Sequence, residues 1–418
     1  MAMGMSKNAA TEWRNFWLLP FVAALGYSTS VIHVYSLGPF IEPLQQAFGW
    51  SRAQISIGLT IASFISAIFC IPVGILVDRI GPRRVGLIGV LLMSGAFALL
   101  GTTTGTTANW VALWSIVAVG TLWVQATVWT SAVASRFEAS RGLAFAITLS
   151  GAALSAAVAP VLAAWLIGAY GWRTAFVAMG GIWSALVFPF LLLCFRGAHD
   201  GEASKHATTT SPVKVLKGVT LSQGLRSPTL YKLLLASGLF SFTAIGAVVH
   251  FVPILTDSGA TPLAAAGVAA LVGIFSILGR LGTGFLLDRF PGHIVGAVAF
   301  MLPIVSALLL LFDGANPLSQ AVAAAALGLT VGSEVDVIAF LAAKHFGLRS
   351  FGALYGALVM ALSLGTAFGP LAAGTVFDRF DSYAPFLMLA IVLMGVSATA
   401  LLSLGAAPET LETAAPSR

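Results

Sequence analysis

Residues 74–84 read GILVDRIGPRR, a short charged stretch between two long apolar runs. A related stretch, GFLLDR at residues 284–289, lies 210 residues further along the chain. Gly142 and Pro160 recur at the same shift, as Gly352 and Pro370. A single shift that relates separate motifs indicates that the chain consists of two similar halves.

The composition excludes an ordinary water-soluble domain. Of the 418 residues, 58% are hydrophobic and 9% are charged, and the mean hydropathy is +0.96, whereas soluble domains carry about 25% charged residues. Because hydrocarbon offers backbone N–H and C=O groups no partner, spanning elements are helices or closed barrels. The apolar runs are much longer than the roughly ten residues of a barrel strand, so we expect an all-α membrane protein.

Twelve apolar runs are long enough to cross a membrane as helices. They cover residues 15–42, 53–77, 84–104, 108–134, 142–168, 174–195, 231–256, 262–287, 293–312, 318–343, 351–376 and 383–406. We predict two pseudo-symmetric six-helix bundles, at 1–195 and 231–406. A cytoplasmic linker at 196–230 joins them, and 407–418 forms a cytoplasmic tail.

The placement of Lys and Arg predicts the orientation. With a cytoplasmic N-terminus, 17 of the 21 Lys and Arg residues lie on the cytoplasmic side, three lie outside and Arg280 lies within a helix. Cytoplasmic loops generally carry this excess, so we expect a multi-pass protein of the cell inner membrane with both termini in the cytoplasm. This topology explains the net charge of +6, so we expect no nucleic-acid partner. We also expect no cleaved signal peptide before the first helix.

No motif of an enzyme is present. Cys70 and Cys194 lie within apolar runs, which favours packing over a disulfide or a metal site. The sequence has no His-Glu-x-x-His, no Gly-x-Ser-x-Gly elbow and no phosphate-binding P-loop. We therefore expect neither catalysis nor a cofactor or metal ion.

The stretch at 74–84 resembles the signature loop of the major facilitator superfamily, and helix number, central linker and half-repeat extend the resemblance over the whole chain. It implies a cytoplasmic latch between helices. Acidic groups would face helix N-termini and arginines would bind acids and lipid phosphates; alternatively, the arginines only fix the topology. The latch residues would be Gly74, Asp78, Arg79, Gly81, Arg83, Arg84, Asp288 and Arg289.

Residues 137–151, FEASRGLAFAITLSG, resemble the signature of the monocarboxylate porter and oxalate/formate group. In bacterial members, an arginine in helix eight is expected to hold the substrate carboxylate, and Arg280 has that position. The acidic-Gly-aromatic pattern of the group's first helix, and a lysine that some members carry there, are absent from this chain. The substrate is therefore left open by the resemblance.

Three charged residues within predicted helices are candidates for the transport chemistry: Arg280 in helix eight, and Glu334 and Asp336 in helix ten. A charge at membrane depth costs at least about 2.5 to 3.5 kcal/mol, so it usually faces a cavity or a partner. The other half has Cys70, Val124 and Ala126 at the equivalent positions. We interpret Arg280 as the anchor for a carboxylate, which guanidinium binds in bidentate fashion; a purely structural bridge to Glu334 or Asp336 is the alternative.

Proton carriers are predicted at Glu334, Asp336, Asp257 and His250. Residues two apart point about 200° away from each other on a helix, so at most one of Glu334 and Asp336 faces a cavity squarely. Burial favours a protonated carboxyl and a nearby arginine favours the ionised form, which would couple substrate binding to proton occupancy. For His250, as for His33, an interfacial or capped position is the alternative.

Helices one, four and eleven offer polar and aromatic candidates for the walls of a cavity. In the resembled fold, helices one and four are among those that line it, and Tyr27 and Tyr35 share one helix face. For each aromatic residue, ordinary packing is the alternative. The predicted substrate-binding residues are Arg280, Tyr27, Ser28, Tyr35, Gln125, Trp129 and Tyr355.

These features predict a proton-coupled secondary transporter of a small organic anion, monomeric, with substrate, protons and membrane lipids as its partners. Two such halves are typical of alternating access. An exporter of hydrophobic or cationic compounds is a second possible function. It would prefer a cavity with net negative charge, and Glu334 and Asp336 together outweigh the single charge of Arg280. A transporter-like receptor would be expected to have a larger cytoplasmic domain than this chain shows.

Overall fold

The computed structural model describes residues 7–197, 218–347 and 349–406, and these residues are almost entirely helical. Membrane-spanning backbone must satisfy its own hydrogen bonds, which a helix does locally. The helices are α1 (Lys7–Phe16), α2 (Leu18–Phe48), α3 (Arg52–Ile80), α4 (Pro82–Leu99), α5 (Thr107–Leu122), α6 (Ala126–Ala134), α7 (Arg141–Leu149), α8 (Gly151–Cys194), α9 (Leu221–Leu225), α10 (Pro228–Asp257), α11 (Pro262–Leu287), α12 (Gly292–Asp313), α13 (Pro317–Phe346), α14 (Phe351–Phe380) and α15 (Ala384–Leu402), with a 3₁₀ turn at Leu100–Thr102.

Eleven helical segments of the described chain are long and apolar enough to cross a membrane. The longest, Arg141–Cys194, has 54 residues and contains Gly171, whose φ of 79° and ψ of 161° break the helix. Only glycine adopts such angles at low cost, so this residue divides the segment into two crossings. With that division, the twelve predicted crossings are all present.

Local sequence explains where several helices begin and end. Ser51 and Gln54 form a capping box at the start of α3, with reciprocal hydrogen bonds of 3.2 and 3.0 Å. Gly49 ends α2 in the left-handed conformation, with φ of 67°. Asn316 caps α13, and Pro317 occupies its first turn, where the missing N–H has no cost.

The predicted helix at 108–134 is interrupted in the structure. Between α5 and α6, Gln125 has an extended ψ of 158°, and Trp129 Nε1 donates to the Val124 carbonyl oxygen at 2.9 Å. That bond satisfies a carbonyl that the interruption would otherwise leave buried without a partner. Gly89 on α4 faces the Trp123 backbone so closely that a side chain there would clash with the Trp123 carbonyl oxygen.

The described residues belong to two compact units. The first unit lies within Met1–Thr208 and includes Thr261–Gly273, and the second lies within Thr209–Ala260 and Ile274–Arg418. Stacked aromatic rings contribute to each core: the centroids of Phe40 and Phe176 are 3.8 Å apart in the first unit. Many exposed side chains are large and apolar, as expected where the surrounding solvent is hydrocarbon.

Candidate functional site

In the second unit, Arg280 lies where α11 and α13 are in backbone contact. A side chain added to Gly279 would clash with the Leu329 carbonyl oxygen, and one added to Gly332 would clash with that of Ser276. Small residues allow this close approach between membrane helices. The two glycines therefore determine how far apart the charged side chains of the two helices lie.

The contact brings Arg280 beside one of the two acids. Arg280 Nη1 lies 3.4 Å from Asp336 Oδ1, and the two side chains are 12% and 31% exposed. A distance of 3.4 Å is long for a hydrogen bond between charged groups. Glu334 is 7% exposed, and within the described chain it forms no hydrogen bond or ion pair with Arg280. Of the two predicted acids, Asp336 is thus the one that pairs with Arg280.

Hydroxyl groups connect the same two helices next to this pair. Thr283 Oγ1 and Ser333 Oγ are 2.6 Å apart, and Ser333 Oγ is also 2.6 Å from the Leu329 carbonyl oxygen. These bonds fix the rotation of α11 about its axis relative to α13. Because Thr283 lies three residues after Arg280, on the same side of the helix, the bonds also orient the arginine.

The first-unit residues predicted to bind substrate lie in two kinds of environment. Ser28 is fully buried; its hydroxyl donates to the Leu25 carbonyl at 2.6 Å and accepts from Trp183 Nε1 at 3.2 Å. Trp129 is also fully buried and bonded to Val124. The polar groups of these two residues are thus hydrogen-bonded within the first unit. Half-buried positions are occupied by Tyr27, Tyr35 and Gln125.

In the second unit, Tyr355 is half-buried and its ring stacks on Phe351, with centroids 5.2 Å apart. His250 is fully buried, with a polar partner on each ring nitrogen, so it is not an interfacial residue. Asp257, at the end of α10, lines a cavity of about 450 Å³. The structure therefore places Asp257 and His250 in one region of the second unit and Arg280, Glu334 and Asp336 in another.

The predicted latch residues lie at the ends of α3, α4 and α11. Arg83 Nη2 donates to the Leu192 carbonyl oxygen at 2.7 Å, and Arg289 lies 3.8 Å from the centroid of the Phe285 ring. Gly81, with φ of 86°, separates α3 from α4. Arg79, Arg84 and Asp288 are exposed. Gly74 and the side chain of Asp78 lie outside the described residues.

Glu12 on α1 was not recognised by the sequence analysis. Its carboxylate accepts hydrogen bonds from the backbone N–H groups of Glu138, Ala139 and Ser140, at 3.0, 2.9 and 3.1 Å, and from the Ser140 hydroxyl at 2.8 Å. These bonds, led by that from Ala139, lower the pKa of Glu12 to about 2. The carboxylate lies at the N-terminus of α7, where a negative charge is favourable.

Aromatic contacts hold α1 on the same loop. The rings of Trp13 and Phe137 are 5.1 Å apart, and the Arg136 guanidinium lies 4.8 Å from the centroid of the Phe16 ring. Arg136 also donates to the Gly197 carbonyl oxygen at 3.1 Å. The segment that resembles the monocarboxylate group's signature is therefore held by the N-terminal helix, across more than 120 positions of sequence.

Comparison with known proteins agrees with this architecture. Over 362 residues the chain is 26% identical to Monocarboxylate transporter 13 of Bos taurus, covering 85% of this chain and 81% of that protein. It is 24% identical over 390 residues to the uncharacterized MFS-type transporter YcxA of Bacillus subtilis (strain 168), covering 91% and 92%. The crystal structure of the nucleoside transporter NupG superposes with a TM-score of 0.72 at 13% identity, covering 93% of this chain and all of that one.

The structural likeness at such low identity concerns the fold. The match to a family is more extensive, because residues 16–370 correspond to the Major Facilitator Superfamily. That range includes the first stretch at 74–84, its repeat at 284–289 and the three charged residues on α11 and α13. The chain is therefore a multi-pass membrane transporter of small organic substrates and belongs to the Major Facilitator Superfamily.

Proposed function

We propose that this protein is a secondary active transporter of small organic anions of the monocarboxylate type, coupled to protons and working by alternating access. The observation that supports this most directly is Arg280, a charged side chain within a membrane-spanning helix, only 12% exposed. Arginine keeps its charge at every physiological pH. Such a charge is costly in a membrane helix unless function requires it.

The surroundings of Arg280 leave it able to bind an anion. Guanidinium has five N–H donors, and within the described chain Arg280 makes one side-chain contact, the 3.4 Å contact with Asp336. A carboxylate from solution could use the remaining donors in a bidentate arrangement. Asp336 is 31% exposed, so its contact is one that an incoming anion can displace.

The charges of this site suggest how proton and anion are coupled. With both acids ionised, Arg280, Asp336 and Glu334 have a net charge of −1, which opposes binding of an anion in a medium of low dielectric constant. A proton on either acid makes the site neutral, and a second proton gives it a positive charge. Substrate and proton would therefore bind together, which is the requirement for symport.

The similarity to Monocarboxylate transporter 13 supports an anionic substrate. From the distribution of Lys and Arg we also propose a location in the cell inner membrane with both termini cytoplasmic, and we propose a monomer in contact with lipids. The bundles at 1–195 and 231–406, and the latch at 74–84 and 284–289, are part of this proposal. In it, the latch stabilises one state of the transport cycle.

Export of hydrophobic cations is the second candidate, and one observation favours it. The pairing of Arg280 with Asp336 leaves Glu334 as an additional acid in a buried position. A site with net negative charge attracts cations instead of anions. The two functions predict opposite effects of removing Arg280, because that change would weaken anion binding and strengthen cation binding.

Transport into proteoliposomes tests the proposal. Uptake of labelled lactate, pyruvate, benzoate and oxalate is measured with an imposed pH gradient, inside alkaline, for the native protein, Arg280→Ala and Arg280→Lys. Arg226→Ala is the matched control, because Arg226 is exposed outside the spans. We expect gradient-driven uptake of at least one acid, lost in Arg280→Ala and retained in Arg226→Ala. Uptake that survives Arg280→Ala, or efflux of ethidium that increases in that variant, would contradict the anion proposal.

A further inference from the structure

A cavity of about 450 Å³ lies in the second unit, at the end of α10 and the start of α15. Its walls include Leu310 and Leu311 of α12, and its polar lining comes from the end of α10 and the turn before α15. The polar lining residues are Asp257, Ser258, Asp381, Ser382 and Tyr383. Two acids and three hydroxyl groups make this cavity a place where water and protons can reside.

Tyr383 connects the cavity to a histidine that is itself inaccessible. The Tyr383 side chain lines the cavity, and its hydroxyl oxygen lies 2.6 Å from Nδ1 of His250. Nε2 of the same imidazole lies 2.9 Å from the Pro370 carbonyl oxygen on α14. His250 is fully buried, whereas Tyr383 is 5% exposed. Tyr383 is therefore a residue that both lines the cavity and contacts the buried histidine.

The partners of the imidazole determine which nitrogen can take up a proton. A carbonyl oxygen only accepts hydrogen bonds, so Nε2 carries a hydrogen and donates to Pro370. In the neutral ring Nδ1 is then the acceptor, and the Tyr383 O–H donates to it. Nδ1 is thus the nitrogen that can gain a proton, and its partner is the hydroxyl of Tyr383, which lines the cavity.

Proton transfer along this line conserves every hydrogen bond. The Tyr383 O–H bond breaks as its proton moves to Nδ1, and a proton from the cavity forms a new O–H bond on the same oxygen. Tyr383 stays neutral and His250 becomes an imidazolium. Its new N–H donates to the tyrosine oxygen, and Nε2–H still donates to Pro370. The reverse sequence returns the proton to the cavity.

The other half of the chain shows that packing does not require this arrangement. The shift of 210 residues relates His250 to Phe40 and Tyr383 to Arg173. Phe40 is fully buried and stacks on Phe176 at 3.8 Å. An apolar ring therefore fills the equivalent helix position, whereas a histidine with two polar bonds occupies it in the second unit.

We propose that Tyr383 relays protons between this cavity and His250, and that His250 is a second proton-holding group of the transporter. The proposal rests on the proton coupling and orientation given above, which place the cavity at the extracytoplasmic end. The charged groups at the cavity are Asp257 on the helix of His250 and Asp381 on the turn before α15; the lining residues of α12 are apolar. Both carboxylates attract protons to the tyrosine hydroxyl.

The test follows the protonation of His250 directly, without any substrate. Protein labelled with ¹⁵N-histidine is placed in lipid nanodiscs, the His250 signals are assigned with His250→Gln, and spectra are recorded from about pH 8 to about pH 5. In the native protein we expect Nδ1 to change from an acceptor to an N–H group. In Tyr383→Phe we expect the rate of exchange between the two protonation states of His250, read from the line shapes, to fall, and in Tyr231→Phe, whose ring is exposed, to be unchanged.

Two results would overturn the relay. If Nδ1 of the native protein keeps one protonation state over the whole pH range, His250 only connects α10 to α14. This result comes from the native protein and does not depend on whether a variant folds. If the two protonation states of His250 exchange as fast in Tyr383→Phe, folded by circular dichroism, as in the native protein, the hydroxyl is not on the route. Either result leaves the Arg280 transport assay untouched, and loss of anion uptake alone leaves the His250 profile untouched, so the two proposals fail separately.

Discussion

Arg280 Nη1 on α11 and Asp336 Oδ1 on α13 are 3.4 Å apart at the level where the backbones of these helices touch. Glu334 lies on the same helix as Asp336, two residues earlier, and therefore projects from a different side. It is buried, whereas Asp336 is partly exposed. The two acids thus have different environments although they lie near the same arginine.

Replacing both acids, as Glu334→Gln with Asp336→Asn, should abolish proton uptake. The proposed site would then have a charge of +1 at every pH, so an anion could bind without a proton. We expect exchange of labelled carboxylate to continue while uptake driven by a pH gradient falls to the level of empty liposomes. Proton uptake that survives the double substitution, measured with a pH-sensitive dye inside the liposomes, would remove these residues from the coupling mechanism.

The glycine contact that positions Arg280 gives a second prediction. A methyl group in Gly332→Ala would clash with the Ser276 carbonyl oxygen, so the helices must separate, at a cost of about 1 to 3 kcal/mol. We expect a lower unfolding temperature and loss of anion uptake. Gly282→Ala is the control, since a side chain there meets nothing within 4 Å and should be neutral or stabilise by up to about 1 kcal/mol. Equal unfolding temperatures for the two variants would show that the contact is not tight.

A third prediction concerns pH and the N-terminal helix. The pKa of Glu12 is lowered to about 2, so its bonds to the loop stabilise the folded state fully above the ordinary carboxyl value of 4.5 and are lost as pH falls towards 2. Glu12→Gln should therefore lower the free energy of unfolding by about 1 kcal/mol at pH 7. That difference should shrink steadily below about pH 4.5.

Thermal unfolding of the two proteins in detergent over this pH range measures the Glu12 effect. Glu42→Gln serves as a control, because among the bonds of the described residues Glu42 contacts only Gln46 on its own helix and the substitution should produce a smaller change. A difference between native protein and Glu12→Gln that grows as the pH falls has the wrong sign and would exclude the capping role.

The interruption between α5 and α6 gives a fourth prediction. Trp129→Phe keeps most of the ring and removes the Nε1–H that bonds to the Val124 carbonyl oxygen. A buried carbonyl left without its partner costs about 1 to 3 kcal/mol, so the unfolding temperature should fall. Trp165→Phe, at an exposed ring, should change it little. If both variants have the same unfolding temperature as the native protein, the bond does not stabilise the interruption.

Much of the fold could be predicted from the sequence because each crossing is encoded locally. An apolar run of about 20 residues must form a helix in hydrocarbon, whatever surrounds it. The predicted spans accordingly correspond to the helices within several residues. The interruption at Trp123 to Gln125 was not predicted, since it depends on a distant glycine, Gly89, and on a bond from Trp129. Neither is visible in the local pattern of apolar residues.

The candidate site could be predicted as a set of residues but not as an arrangement. Charges stand out in apolar helices, so Arg280, Glu334 and Asp336 are evident from the sequence. Which face of a membrane helix points inward is not encoded in the same way, because lipid and protein core are both apolar. For this reason the sequence does not show that the polar groups of Ser28 and Trp129, predicted to bind substrate, are hydrogen-bonded within the first unit.

The sequence by itself therefore determined the number of crossings, the two-fold repeat and the identity of the buried charges, since each follows from the cost of placing polar groups in hydrocarbon. Tertiary structure alone decided that Arg280 pairs with Asp336, that Glu12 caps a loop 126 positions away, and that Tyr383 both lines a cavity and contacts His250. Those relationships depend on helix rotation and on contacts between distant backbones. Local residue pattern specifies neither of them.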